Sequence, residues 1–452
     1  MNEGRAGTEG RAGTEGRTGT EGRTGTEGQW TARSIYFVGL LTAIYALNFL
    51  DRQILALVLP SISRELHLRD DVIGLIVGFV FVIFYSIAGV PIARLADRAS
   101  RRNILAWGLA SWSLMTILSG GVTRVWQLIA TRFLMGIGEA TCIAPSTSLI
   151  ADLFRPERRA LPLAILTSGS SIAALLFFPL AGWISQHYGW RATFMAAGLP
   201  GIVLSLTLWL TVREPERAAF ANDPARSPQQ PFGSTLRYLF GSRAYLLTVA
   251  GGACVGISLY ASLTWNPSFL TRVHHFTQTQ VGSAIGVLRG LLGLTGALLG
   301  GYLSERLGSV DTRWRLWTPG LACVLVLPAE LLFLLSPTPQ WALVGLGLAS
   351  LFTSMHIGPV YAVCQNVSRP DTRATATATF LLIANLVGQV LGPWIVGVLN
   401  VRWAASYGEQ AIRYSLIFGA ACACLGGLLL IFGASHLRRP AAESITFRER
   451  HP

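Results

Sequence analysis

Residues 45–55 read Tyr45-Ala46-Leu47-Asn48-Phe49-Leu50-Asp51-Arg52-Gln53-Ile54-Leu55, with an acid and a base side by side in an apolar run from about Ser34 to Ser63. A bilayer core of ~30 Å is spanned by ~20 apolar residues in a helix. Asp51 and Arg52 would then sit near the middle of a span, where an ionisable side chain costs at least ~2.5–3.5 kcal/mol. A chain that keeps both there has a use for them: an ion, a proton or an anionic ligand.

The rest of the chain has the same character. Half of its 452 residues are hydrophobic and only 13% are charged, against ~25% in soluble domains. Twelve apolar spans are expected, at about 34–63, 71–96, 102–122, 124–153, 160–186, 191–212, 244–270, 279–306, 315–336, 338–367, 373–400 and 410–436. The net charge of +13 is carried by arginine alone among the basic residues, and it concentrates in alternate loops. Arg94, Arg98, Arg101 and Arg102 lie in one such loop; Arg155, Arg158 and Arg159 in another; Arg213 to Arg243, Arg306 to Arg315 and Arg369 to Arg373 follow. By the positive-inside rule both termini are cytoplasmic and the chain is a multi-pass protein of the cell (inner) membrane. The basic charge is therefore a topology signal, and no nucleic-acid partner is expected.

Residues 1–33 hold four copies of Gly-Arg-(Ala/Thr)-Gly-Thr-Glu, too polar to bury a core and expected to be disordered. A six-span half follows at 34–212, then a proline-containing cytoplasmic linker at 213–243, a second six-span half at 244–436 and a cytoplasmic tail at 437–452. The halves look duplicated. Arg155-Pro156-Glu157-Arg158-Arg159-Ala160 opens the fifth span and Arg369-Pro370-Asp371-Thr372-Arg373-Ala374 the eleventh, while Ala93–Arg98 closes the second and Gly301–Arg306 the eighth. Duplicated halves place a substrate site at their interface.

Two constellations carry chemistry. The loop after the second span, Gly89-Val90-Pro91-Ile92-Ala93-Arg94-Leu95-Ala96-Asp97-Arg98-Ala99-Ser100-Arg101-Arg102, can build a charge network from Asp97, Arg98, Arg101 and Arg102 that latches neighbouring helices. The fourth span carries Arg132-Phe133-Leu134-Met135-Gly136-Ile137-Gly138-Glu139-Ala140. Seven residues put Arg132 and Glu139 on one helix face, ~10 Å apart. The fourth span runs opposite to the first, so Glu139 falls near the depth of Arg52, and Asp51 between Arg132 and Glu139. Two acids and two bases can thus neutralise one another at mid-membrane, and protonating Asp51 would unbalance them. A static cluster that only fixes helix register is the plainer alternative.

The loop at Gly89–Arg102 resembles the signature cytoplasmic loop of the major facilitator superfamily, with Ala93 and Ser100 in place of two of its glycines. Asn48-Phe49-Leu50-Asp51-Arg52-Gln53, Gly136-Ile137-Gly138-Glu139-Ala140, Ile143-Ala144-Pro145 and Ile150-Ala151-Asp152-Leu153-Phe154 together resemble the Spinster branch of that superfamily, closely in the first six spans and more loosely after them. The resemblance implies an all-α fold of twelve transmembrane helices in two six-helix halves, and a proton-coupled or otherwise secondary carrier. Animal members carry lysophospholipids and phosphorylated sphingoid bases. By position Asp51, Arg52, Arg132 and Glu139 become the proton-coupling group. The same N-x-x-D-R element occurs in carriers of sugar acids, which leaves a small organic anion open as substrate.

Candidate substrate contacts are Asn48 and Arg52, with Tyr260 and Trp265 in the seventh span and His356 and Tyr361 in the tenth. Their aromatic rings would suit a lipid-like amphiphile, although rings in membrane helices more often face packing or lipid. Glu330, in the ninth span, has no evident partner in the sequence and is expected near an interface. The six cysteines, Cys142, Cys254, Cys323, Cys364, Cys422 and Cys424, show no metal or redox spacing. Neither a nucleotide-binding loop nor a hydrolase motif appears. A transporter without cofactor or metal is expected, in contact with membrane lipids and protons, monomeric and not an enzyme. A sensor that keeps the fold without transporting is a remoter alternative.

Overall fold

The computed structural model describes residues 30–155, 158–214, 232–368 and 372–437, without the side chains of residues 90, 97, 232 and 374. The repeat tail up to residue 29, the linker between 215 and 231, the tail from 438 and the side chain of Asp97 lie outside the described residues. Among those described, twelve long helices form the protein: α1 (Ala32–Leu66), α2 (70–98), α3 (Arg101–Ser119), α4 (Val125–Leu153), α5 (160–188), α6 (190–211), α7 (Arg243–Val273), α8 (Gln278–Gly308), α9 (Trp314–Leu335), α10 (Pro339–Asn366), α11 (Arg373–Tyr407) and α12 (Ala411–Ala434). An amphipathic helix, Phe232–Gly241, precedes α7.

The ends follow local chemistry. Thr31 caps α1 by accepting from the Ser34 N–H, Ser100 caps α3 from Asn103, and Thr277 caps α8 from Gln280, each satisfying a donor that the first turn leaves free. Two corners rest on glycine in the left-handed region: Gly189 (φ 81°) turns α5 into α6, and Gly408 (φ 55°) turns α11 toward α12. Both fall at the same place in their half, 219 residues apart in the chain.

Helix α1 is apolar on nearly every face and accordingly buried over most of its surface from Leu40 to Ile62. It packs against α5 and α6 within its own half and against α7 of the other. Small residues let the halves approach. Gly78 of α2 meets the Gln389 carbonyl of α11, and Gly182 of α5 meets Gly282 of α8, where an added methyl would lie 3.2 Å from the facing Cα. These contacts fall between mid-height and the end of the bundle that bears Asp70. There Asp70, at the start of α2, accepts from Arg272 of α7 at 2.6 and 2.8 Å and from Asn400 of α11 at 2.9 Å. One carboxylate thus ties three helices from both halves together.

At the opposite end, Glu214, just past α6, accepts from Ser100 Oγ (2.9 Å), from Arg101 Nε (3.0 Å) and from the backbone N–H groups of Arg101 and Arg102 (3.2 and 2.8 Å). Arg101 also pairs with Asp152 of α4 and donates to Ser148 at 2.9 Å, and Arg102 donates to the Val212 carbonyl at 2.9 Å. Arg101 and Arg102 of the loop thus join α3, α4 and the end of α6. Among the described residues their acids are Asp152 and Glu214, while Arg98 is exposed. Sequence reading missed Glu214 because its partners are more than a hundred residues away.

Candidate functional site

Four helices, α1 to α4, assemble the central group. Close packing sets the frame: Gly136 of α4 lies on the backbone of α2 at Phe81, and Gly138 on Trp112 of α3, where added methyls would meet neighbours at 2.8 and 3.0 Å. That approach brings Glu139, fully buried, to Arg52 of α1, whose Nε donates to Glu139 Oε2 at 2.5 Å. The Arg52 side chain keeps 20% of its surface exposed. Its guanidinium lies 4.4 Å from the centre of the Tyr85 ring and 5.2 Å from that of Phe81, which suits a delocalised cation in a dry place.

Asp51, the next residue, is buried to 1% and faces α3 and α4, where Glu139, Arg132, Thr116 and Trp112 bear on it. Arg132 does not take its carboxylate. It donates to the Asp51 backbone carbonyl at 3.2 Å, and its guanidinium lies 5.3 Å from the Phe194 ring centre. The four charges are together, but the partnership is uneven: Arg52 and Glu139 are paired, whereas Asp51 Oδ1, Glu139 Oε1 and two guanidinium nitrogens of Arg132 have no protein hydrogen-bond partner. Buried polar atoms are nearly always satisfied, so these are the positions in the cluster that protein groups leave to other partners.

Around the exposed edge of Arg52 stands a set of phenols from both halves. Tyr45 of α1 and Tyr85 of α2 neighbour it from one side. Tyr260 of α7, which donates to Asn385 Oδ1 at 2.9 Å, neighbours Arg52, Tyr85, Tyr361 and Gln389. Tyr361 of α10, in ring contact with Phe380, lies within electrostatic reach of Tyr45 and Tyr260. All four tyrosines, with Asn385 and Gln389 of α11, are half-buried. Tyr45, Tyr85, Asn385 and Gln389 were missed in the sequence; Tyr45 lies one helical turn before Asn48, a spacing that could have marked it.

The other candidates fall elsewhere. Asn48 is buried beside the cluster with its Nδ2 unpartnered. Trp265 is fully buried and donates to the Pro393 carbonyl at 2.9 Å, so it packs α7 on α11 and is set apart from the phenols. His356 sits at the break in α10, its Nδ1 against the Thr353 carbonyl. Glu330, five residues before the end of α9, is 5% exposed and hydrogen-bonded to Ser262 of α7. A loop count could not reveal this, because the partner belongs to another helix.

Two helical halves around a charged, phenol-lined centre define a membrane transporter. The chain matches the Major Facilitator Superfamily over residues 41–393 and belongs to that family. It is 31% identical to an MFS-type efflux pump of Mycolicibacterium smegmatis over 90% of this chain and 94% of that one. It is 28% identical to protein spinster homolog 1 of Homo sapiens (87% and 79%) and 25% identical to the probable galactarate/D-glucarate transporter GudP of Escherichia coli (82% and 87%). Among solved structures, a bacterial homolog of the human lysosomal transporter Spinster, inward-facing and unoccupied, superposes with a TM-score of 0.79 at 26% identity over 91% of this chain and all of the other. The chain is thus a Spinster-like transporter of the superfamily and not an enzyme.

Proposed function

We propose that the protein is a proton-coupled secondary transporter of an anionic, lipid-like amphiphile, working by alternating access in the cell membrane with both termini in the cytoplasm. The observation that carries this reading is the Arg52–Glu139 ion pair at the edge of the phenol-lined centre, beside the buried and under-partnered Asp51. A substrate anion and Glu139 are rivals for the same guanidinium. With both acids charged the cluster is neutral; one proton leaves it with an excess positive charge that a carboxylate or phosphate can balance. Binding of proton and anion is then mutually favourable, which is the condition for coupling. Leu386 and Val390 of α11, packed on the same apolar core as Tyr85, offer apolar surface for the rest of an amphiphile, and a lipid-like cargo is what the resemblance to the Spinster branch implies.

A second reading, a small organic anion such as a sugar acid, is favoured by the hydroxyl and amide groups of Tyr260, Asn385 and Gln389, and by the likeness to GudP. Uptake into liposomes under an imposed pH gradient, with labelled lysophospholipid and labelled glucarate, separates the two. Lysolipid movement that Asp51→Asn abolishes supports the first reading; glucarate movement alone replaces it with the second.

A further inference from the structure

The C-terminal half holds a polar cluster that the central group does not use. Glu330 of α9 accepts from Ser262 Oγ of α7 at 3.0 Å. One turn along α7 is Asn266, fully buried. With its amide oriented to satisfy both neighbours, it donates to the Ser262 carbonyl at 3.3 Å and accepts from Arg289 of α8 at 3.2 Å. Arg289 stands in a π-helical turn, Leu288–Leu292, and among the described residues it is the charged side chain that bears on Glu330. The other helices packed on α9 bring small and apolar surface: Gly345 of α10 lies against Ala329 and Phe333, and Gly427 of α12 against Gly320 and Val324. A buried acid and a partly buried base are therefore brought together, bridged by Ser262 and the Asn266 amide, in a setting where ionisable groups are costly.

The place of this cluster in the repeat gives it meaning. In the N-terminal half Asp51 of α1 is faced by Thr116 of α3. Ser262 follows Asp51 by 211 residues and Glu330 follows Thr116 by 214. Intervals within a few residues of these separate other equivalent features. The π-helical turn of α8 begins 212 residues after that of α2 at Ile76, and the break in α10 after Ser354 comes 215 residues after the break in α4 at Glu139. Each half thus sets a carboxyl against a hydroxyl between its first and third helices, to within about a helical turn of the same level, with the two groups exchanged between the helices.

We infer that Glu330 is a second proton-binding carboxyl, the C-terminal counterpart of Asp51, with Arg289 as the counter-charge that its protonation sets free. This rests on the proton-coupled reading above. Each half then carries its own titrating acid, and the conformational equilibrium responds to protons taken up in both.

The test follows the protein's shape against pH and needs no substrate. Full-length protein in nanodiscs, with native cysteines replaced and nitroxides at the exposed positions Arg69 and Glu409, reports the distance across the Asp70 end between pH 5 and pH 9. The wild type should switch between two distance populations. Asp51→Asn/Glu139→Gln should retain a transition, and adding Glu330→Gln should abolish it. Ser262→Ala, a mild change, should keep the amplitude and move the wild-type midpoint by at least half a pH unit. A flat profile in Asp51→Asn/Glu139→Gln, a transition that survives the added Glu330→Gln, or a Ser262→Ala curve that overlays the wild type would each overturn the proposal. A wild type that does not respond to pH at all would instead remove the proton-coupled reading itself, and this inference with it.

Discussion

Arg52 serves three neighbours with one guanidinium: Glu139 holds its Nε, and the Tyr85 and Phe81 rings lie against it. A lysine offers one compact charge and no planar face. Arg52→Lys is therefore expected to lower transport at least tenfold in proteoliposomes while the fold persists. Glu139→Ala leaves a buried guanidinium unpaired and should destabilise by roughly 3–5 kcal/mol, read as a large loss in thermal unfolding temperature. Asp51→Asn removes a carboxylate that holds no strong partner; stability should stay within about 1 kcal/mol of wild type, so its transport defect can be read as chemistry. Acid sensitivity at Glu214 belongs to the same scale. Burial works to raise its pKa, but the backbone N–H of Arg102, the Arg101 guanidinium and Ser100 outweigh it and hold the carboxyl below the usual range. Its folded pKa is depressed, so its stabilisation is complete above the unfolded value of about 4.3 and fades as pH falls through the folded one. Glu214→Gln should thus lose the same stability at pH 6 as at pH 8 in thermal melts. A pH response of transport in that window must come from another group.

At the level of elements, the helix spacing at α4 decides whether the charges meet. Gly136 is seated on the α2 backbone near Phe81, and a side chain there would force the helices apart. Overpacking of this kind costs about 1–3 kcal/mol. Gly136→Leu is expected to lower the melting temperature and also to weaken transport, because it withdraws Glu139 from Arg52. Gly39, with open space where a side chain would go, is the control: Gly39→Ala should leave transport unchanged and keep or slightly raise the melting temperature, since alanine suits a helix interior better than glycine. The twelve spans themselves were legible, since apolar runs of the right length have few other fates. The corners at Gly189 and Gly408 and the breaks in α4 and α10 were not, because a glycine or an interrupted turn shows no hydropathy change.

For the whole molecule, the Asp70 clasp is the feature that separates one end from the other. Its carboxylate reaches α7 and α11 of the opposite half through Arg272 and Asn400. Hydrogen bonds to a charged group are worth about 1.5–3 kcal/mol. Asp70→Asn should move the equilibrium toward opening at that end by roughly tenfold or more, seen as faster labelling of a cysteine placed at Val72 or as a longer spin-label distance. Asp70→Arg combined with Arg272→Asp should restore closure in part; a double variant no more closed than Asp70→Asn would assign the clasp to packing.

Composition, apolar length and arginine placement specified a twelve-span, duplicated membrane protein from the chain alone, because the bilayer accepts so few backbone solutions. They also marked Asp51, Arg52, Arg132 and Glu139, since a charge among apolar residues is visible by itself. What the chain could not state is which charge holds which. Glu139 took Arg52, Arg132 settled on a backbone carbonyl, Glu214 and Asp152 took the loop arginines, and Trp265 went to packing. Each of these depends on rotation and separation between helices distant in sequence, and a shift of an ångström or two redistributes such partners. The tertiary structure alone sets those distances.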